Sequence, residues 1–427
     1  MPGASARMQS RVYEVAMNQH NDNPSRRSVS RMIGAAAGSI AMPAVLRAQQ
    51  SVIRIGVLGD LSGYSMEIGG PGAVLAARMA VEDHGSKAAG MPVEVLQADF
   101  LNKPDVASQI ARRWFDVDSV DAITDLPNTP SALAVARLGK EREKIILVAE
   151  AATPELTTAQ CSPTTMHHAD DTNALAAGTA KALLEQGLKS WFFLTADFGF
   201  GHQMQASAER VVREGGGQVL GAVRHPLAAS DFSSFLLQAQ ASKAQVIALA
   251  NVGEDTTTAI KQAAEFGLTS EPQVIAGLLM VISDIKALGL DVAKGLYVTE
   301  GFYWDANDKA RDFAKRFAAR NGGKIPTKAH AANYIGVRHY LDAVDAANTK
   351  APQAVMAKMR ELPIDYLGKP AHMREDGRVI YDLDLYQVKS PQESKGPYDY
   401  YKPIRHIIGE QAFAPMDPKS CAMLAAK

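Results

Sequence analysis

Two hydroxyl residues, Thr129 and Ser131, flank Pro130 at the start of a helix-like stretch, just after Asn128. Proline suits a first helical turn because its missing N–H would be unpaired there anyway. A helix start leaves orphan N–H donors at the positive end of the helix dipole. Hydroxyls set among them can hold a carboxylate with no cationic partner. Other polar clusters also follow short apolar runs. Asp60, Ser62, Gly63 and Tyr64 come after Ile53–Leu58, in a Gly59–Gly72 segment with five glycines and a proline. Glu150, Ala151, Ala152 and Thr153 follow Ile145–Val148, and Asp197, Phe198, Gly199 and Phe200 follow Trp191–Leu194. Asn251, Gly253, Glu254 and Asp255 follow Val246–Ala250, and Gly301, Phe302, Tyr303 and Trp304 follow a run from Leu296. Lys and Arg are sparse in all of these clusters, which fits anion capture by dipoles rather than by ion pairs. Phe198, Tyr303 and Trp304 would stack a flat apolar ligand.

The same residues offer little to a reaction. No Gly-x-Ser-x-Gly elbow is present, the glycine-rich segment lacks Gly-x-Gly-x-x-Gly spacing, and no Gly-Lys-Ser/Thr opens its helix. His167-His168 with Asp170-Asp171 nearby lacks a second ligand pair at metal spacing. We therefore expect no catalytic residue, no metal ligand and no cofactor. The missing phosphate motifs count against an α/β enzyme with a nucleotide cofactor.

The elements that must position these clusters alternate in type. Strand patterns at Ile53–Leu58, Val93–Leu96, Ala122–Thr124 and Ile145–Val148 alternate with helical ones from Ala73, over Pro104–Phe115 and over Pro130–Arg142. A second series follows. Strands Trp191–Leu194, Val219–Val223, Val246–Ala250 and Val274-Ile275 alternate with helices Ala174–Gln186, Gly201–Glu214, Phe232–Ala239 and Asp255–Phe266. Such βα units build parallel sheets with helices on both faces and right-handed crossovers, and ligands sit beyond the carboxyl ends of the strands. Two series predict two doubly wound lobes. Beyond Lys309 the pattern is helical to Glu361, then short strands over Val379–Val388 and a Tyr/Pro-rich tail.

Before Val52 the chain reads as an address. Ser25-Arg26-Arg27-Ser28, a Gly/Ala-rich run over Met32–Leu46 and Arg47-Ala48-Gln49 have the order of an export signal cleaved near Ala48; the paired arginines resemble a twin-arginine signal, with the Sec route as the alternative. Residues 1–50 are expected to hold this signal and a disordered start. The run is too short for a stable span, and no later stretch has 18 uninterrupted apolar residues. Hydrophobic residues make up 47% and charged ones 21%, as in an average soluble chain. Cleavage would remove six Arg and two acidic residues and leave a net charge of about −5. With no basic stripe, nucleic acid is not an expected partner. The only cysteines, Cys161 and Cys421, form an even pair that favours a disulfide in an oxidising compartment and would pin the tail to the body.

Four of these stretches carry a family resemblance. Ile55-Gly56-Val57-Leu58-Gly59-Asp60-Leu61-Ser62-Gly63 and Ala149-Glu150-Ala151-Ala152-Thr153-Pro154 resemble the leucine/isoleucine/valine-type periplasmic binding proteins of ABC importers. So do Thr195-Ala196-Asp197-Phe198-Gly199-Phe200-Gly201 and Ala248-Leu249-Ala250-Asn251-Val252-Gly253. The resemblance spans most of residues 51–425. It implies two α/β lobes, residues 51–167 plus 300–372 and residues 168–299 plus 373–427, joined by three crossings that close on a ligand. The crossings are expected near Met166–Asp170, Thr299–Phe302 and His372–Asp376. It implies an extracytoplasmic solute-binding protein in the periplasm that delivers a small molecule to membrane permease subunits. The ligand would be a branched-chain or other amino acid, or an aromatic acid. The family pattern carries over to Thr129 and Ser131 as carboxylate donors, with Ala151 and Thr153 beside them. Asp255 or Glu300 would meet an ammonium. A Gly-Phe-Tyr-Trp-like segment at the second crossing is linked to aromatic acids, ureas or amides. Sequence does not separate transport from a ligand-sensing receptor domain of the same fold.

Overall fold

The computed structural model describes residues 51–268 and 273–425. The expected export signal lies outside these residues. A first sheet contains β1 (Ile53–Gly59), β2 (Lys87–Ala88), β3 (Met91–Asp99), β4 (Ala122–Asp125), β5 (Ile145–Val148) and β6 (Thr165–His167), in the order β2-β3-β1-β4-β5-β6. All neighbours run parallel except the β2–β3 hairpin, and Ile55 lies opposite Val95 on one side and Ala122 on the other. A second, fully parallel sheet has β7 (Ser190–Ala196), β8 (Gln218–His225), β9 (Val246–Ala250) and β10 (Val274–Gly277) in the order β10-β9-β7-β8. β4, β5 and β9 are buried along their whole length, which explains the unbroken apolar runs of β5 and β9. The doubly wound α/β class expected from the alternation is the one observed.

Helices cover both faces of the first sheet. On one face lie α1 (Gly70–Asp83) and the long helix Lys328–Ala347, with Ala73, Ala77, Ile335 and Tyr340 in the core. On the other lie α2 (Pro104–Asp116) and α3 (Thr129–Glu141), with Trp114 and Val135. The Trp114 ring rests on Gly56, where a Cβ would fall 2.3 Å from it, so the strand carries glycine at that point. The second sheet is sandwiched the same way, with Phe232 and Ile260 on one face and Phe193 and Met204, from α5 (Gly199–Glu214), on the other.

The chain passes between the two sets of cores three times before its tail, whose Ala412 and Phe413 return to the first core. Met166 packs beside the first sheet and Leu175, in α4 (Thr172–Glu185), beside the second. Val298, in β11 (Tyr297–Glu300), packs beside the second and Phe302 beside the first. The third passage comes later than His372–Asp376. Strands β12 (Ile364–Tyr366), β13 (Lys369–Met373) and β14 (Val379–Ile380) form a small antiparallel sheet whose Met373, Val379 and Ile380 bury themselves in the first core. Only within β15 (Leu383–Val388) does the chain move over, Leu383 lying with the first core and Tyr386 with the second. β15 pairs antiparallel with both β11 and β16 (Tyr401–Ile407), a strand within the Tyr/Pro-rich tail. Two short helices, Ile282–Leu288 and Leu290–Ala293, were also not expected, being too short to show a helical period.

Buried cations hold these passages together. Lys328 Nζ lies 3.0 Å from Asp170 Oδ2 and 3.4 Å from Glu300 Oε2, and donates to the Thr299 carbonyl at 3.2 Å, so it joins the first passage to the second. Lys369 Nζ donates to the carbonyls of Gly301 and Asp382 at 3.1 Å each and to Asp384 Oδ2 at 2.7 Å, joining the second to the third. Arg378, 1% exposed, donates to His167 Nδ1 at 2.9 Å and to the Ala169 carbonyl. With Nδ1 accepting, His167 donates from Nε2 to the Ala151 carbonyl at 2.8 Å, so both ring nitrogens are engaged within the protein. Cys161 and Cys421 are bonded, their Cα atoms 5.7 Å apart, and the tail is tied to the loop before β6 as the even pair suggested.

Candidate functional site

A cavity lies at the carboxyl ends of strands from both parallel sheets. Tyr64, Thr129 and Phe198 of the expected set line it. Phe198 and Phe200 sit with ring centroids 5.9 Å apart and give it an aromatic wall at the start of α5. Gly201 makes that helix start possible, since a Cβ there would fall 2.0 Å from the Ala196 carbonyl oxygen. Tyr366 faces the cavity from the small antiparallel sheet, and Glu150, Asp170 and Lys328 are the acidic and basic residues that line it.

The start of α3 is arranged differently from the expectation. Asn128 is the N-cap, and its Oδ1 accepts both the Ser131 N–H at 3.1 Å and the Ser131 hydroxyl at 3.0 Å. Ser131 is fully buried with its donors spent on the cap, so it does not line the cavity, and Thr129 remains as the hydroxyl that does. The Asn128 amide nitrogen in turn donates to Asn102 at 2.8 Å. Other expected residues are also drawn into local structure. The Ser62 hydroxyl donates to Asp99 at 2.6 Å, and Thr153 accepts from the Glu155 N–H at 3.2 Å, capping a short turn. The Ala151 carbonyl belongs to His167, while Ala149 and Ala152 on either side reach the cavity. Asn251 lies buried 3.0 Å from His225, and Asp255 accepts the N–H groups of Ala228 and Ala229 at 3.1 Å each. Glu300 is paired with Lys328 rather than facing the cavity.

The aromatic segment at the second passage is a packing element. Tyr303 and Trp304 both donate to the Tyr398 carbonyl, at 3.3 Å and 2.9 Å, and the Tyr303 ring lies 4.9 Å from that of Tyr401. Their polar atoms are thereby satisfied away from the cavity. The aromatics that line the cavity are Tyr64, Phe198, Phe200 and Tyr366 instead. Phe200 and Glu150 were in the expected clusters but not singled out. Lys328 and Tyr366 carry no sequence signal, because each comes from an element far along the chain.

Electrostatics at the cavity are unusual. Asp60 accepts the N–H groups of Gly63 and Ser65 at 3.1 Å each and the Ser65 hydroxyl at 2.7 Å. Asp125 accepts from Asn333 at 2.9 Å through Oδ1. A Cβ on Gly69 would fall 2.2 Å from Glu150 Oε2 and 3.3 Å from Asp125 Oδ1, so both carboxyls cover that glycine. Burial, and then their mutual repulsion for Glu150, push both groups above the usual carboxylate range. Burial also pushes Tyr64 up to about 12 and Glu300 up to about 8.

At the mouth the two sides touch. The Ser283 hydroxyl donates to the Glu67 carbonyl at 3.1 Å, and Ile68, Val281 and Ala329 pack together.

Residues 52–397 match the family described as periplasmic binding protein. The chain belongs to the periplasmic binding protein family. It is 30% identical over 247 residues to the Leu/Ile/Val-binding protein homolog 6 of Brucella melitensis biotype 1, over 57% of this chain and 62% of the relative. The match thus spans less than two thirds of that relative's length. A periplasmic binding protein from Burkholderia mallei has 44% identity and a TM-score of 0.84, covering 88% of this chain and 99% of that one. A branched chain amino acid ABC transporter periplasmic ligand-binding protein from Burkholderia xenovorans LB400 has 38% identity and a TM-score of 0.78, covering 87% and 99%. Among the described residues no helix of this periplasmic binding protein is long and apolar enough to cross a membrane.

Proposed function

We propose that this protein captures a small carboxylate-bearing solute in the cavity and hands it to the permease subunits of an ABC importer. It would work in the periplasm after loss of a signal cleaved near Ala48. The observation that carries the reading is the cavity itself, which lies beyond the carboxyl ends of two parallel sheets and is walled by Phe198 and Phe200, with Thr129 at a helix start. The name of the Burkholderia xenovorans relative, a branched chain amino acid ABC transporter periplasmic ligand-binding protein, supports the delivery step. Flat aromatic walls favour an aromatic acid over an aliphatic amino acid, and Asp255 and Glu300, the residues expected to meet an ammonium, are taken up by Ala228, Ala229 and Lys328 and do not line the cavity. We further propose that the lobes divide at the three core-to-core passages, with the third at Leu383–Tyr386.

Calorimetry with benzoate, L-leucine and benzamide tests the ligand class. An acid should bind and the neutral amide should bind at least about tenfold more weakly, the loss expected for one charge-assisted hydrogen bond. Equal affinity for benzoate and benzamide would discard the carboxylate. Opening must break the Ser283–Glu67 and Ile68–Val281 contacts, so the unliganded protein in solution should be wider than the closed form. Small-angle scattering should show the radius of gyration falling when the bound acid is saturating. An unchanged radius with binding established by calorimetry would mean a rigid cleft.

A further inference from the structure

We infer that Glu150 meets the ligand as a neutral carboxylic acid, so that the cavity accepts an anionic head group by a hydrogen bond from Glu150. The inference rests on the carboxylate reading above. Three carboxyl groups, Asp60, Asp125 and Glu150, converge beneath the glycine-rich loop. Asp60 is supplied with three donors, and Asp125 Oδ1 with one from Asn333. Asp125 Oδ2 and Glu150 Oε2 are buried without any donor. Two adjacent carboxylates in that state would repel in a poorly solvated site, whereas a proton held by the pair relieves the repulsion and supplies a donor.

Among the described residues no uncommitted cation lines the cavity. Lys328 across the cavity is committed to Asp170, Glu300 and the Thr299 carbonyl. His330, which packs on the same loop, accepts the Thr327 N–H on Nδ1 and donates from Nε2 to the Gly69 carbonyl, and burial holds it down to about 4. Tyr64 is pushed up and stays a neutral phenol, and Asp255 adds only further negative charge behind it. Thr129 and Glu150 line the same cavity. An anion drawn to the start of α3 therefore comes beside Glu150, and only the protonated acid donates to it rather than repelling it. The upward push on Glu150 from burial and from Asp125 agrees with this geometry.

The ligand-free protein gives the first test. Infrared spectra in water and deuterated water near pH 7 should show a protonated carboxyl band that Glu150→Gln removes; a spectrum without that difference would overturn the inference. The second test is calorimetry with benzoate and L-leucine in pairs of buffers of different ionisation enthalpy, from about pH 6 to about pH 9.5. Affinity should fall, approaching tenfold per pH unit, once the pair has lost its proton, with uptake of up to one proton per ligand in that range. In Glu150→Gln, which donates without titrating, both the slope and the uptake should vanish. Binding with no uptake overturns the inference and leaves the carboxylate reading standing. Proton release would mean a cationic group faces the pair and overturns it too. No binding of either acid at any pH removes the carboxylate reading and this ligand role together, whatever the infrared result.

Discussion

Replacing Lys328 with methionine should lower the unfolding free energy by roughly 3–5 kcal/mol near pH 8, the range for removing one partner from a buried charge pair. The lysine side chain is 11% exposed and its two carboxylate partners 3% each, so solvent screens them little. Methionine fills similar volume and leaves packing nearly intact, but Asp170 and Glu300 then face each other in the interior with no counter-charge. The deficit should shrink as pH falls. Burial raises the Glu300 pKa in the folded protein to about 8, so the stability tied to this group is fully present below its unfolded value near 4.5 and is lost as pH rises through about 8. The Lys328 pKa is raised as well, because the pull of Glu300 and Asp170 outweighs the opposing burial, so its own contribution is lost only above the ordinary lysine value of 10.5. Urea titrations of both proteins at about pH 5 and about pH 8 would measure the difference. An equal deficit at both values would mean that the loss comes from packing, not charge. Because Lys328 also walls the cavity and joins two of the three passages, the variant should lose ligand affinity along with stability.

Reducing the Cys161–Cys421 bond, or replacing Cys421 with serine, should destabilise the protein by roughly 3–5 kcal/mol in the chain-entropy account, which grows with loop length. The bond closes a loop across a sequence separation of 260. Cys421 is fully buried and Cys161 nearly so, which makes the bond part of a packed region rather than a loose tether. Thiol labelling of the unfolded, unreduced protein should find no free thiol, and the oxidised and reduced forms should separate clearly in guanidinium titrations. Two labelled thiols, or coincident unfolding curves, would contradict the account. Ligand affinity should change little, since neither cysteine lines the cavity.

Much of the architecture is legible along the chain. Ile145–Val148 and Val246–Ala250 occupy the expected strands because a run of β-branched and aliphatic residues bounded by turn residues has few other stable uses in an α/β chain. The two cysteines were also readable, since a pair offers only one bond. Alternation of period placed the polar clusters at the strand ends, and Tyr64, Thr129 and Phe198 do face the cavity. Within each cluster, however, type and spacing do not say which side chain is consumed locally. Asn128, Thr129 and Ser131 look equivalent as donors in a sequence. In the folded chain Asn128 takes the cap and with it both Ser131 donors, because an orphan N–H is satisfied by the nearest acceptor. Tyr303 and Trp304 likewise read as stacking residues until Tyr398, nearly a hundred residues on, supplies a carbonyl for both.

What the sequence determined by itself was therefore the order and type of the main βα elements, the end of each sheet at which a ligand would sit, and the pairing of the cysteines. These depend on local hydrophobic period and on counting. Tertiary structure alone decided which residues carry charge into the cavity. Lys328 meets Asp170 and Glu300 only because the long helix Lys328–Ala347 starts against two passages of the chain. Asp125 and Glu150 become a proton-holding pair only because β4 and β5 lie side by side and end over Gly69. The strength of a charge or a hydrogen bond depends on burial and on partners brought from distant sequence, and neither quantity exists until the chain has folded.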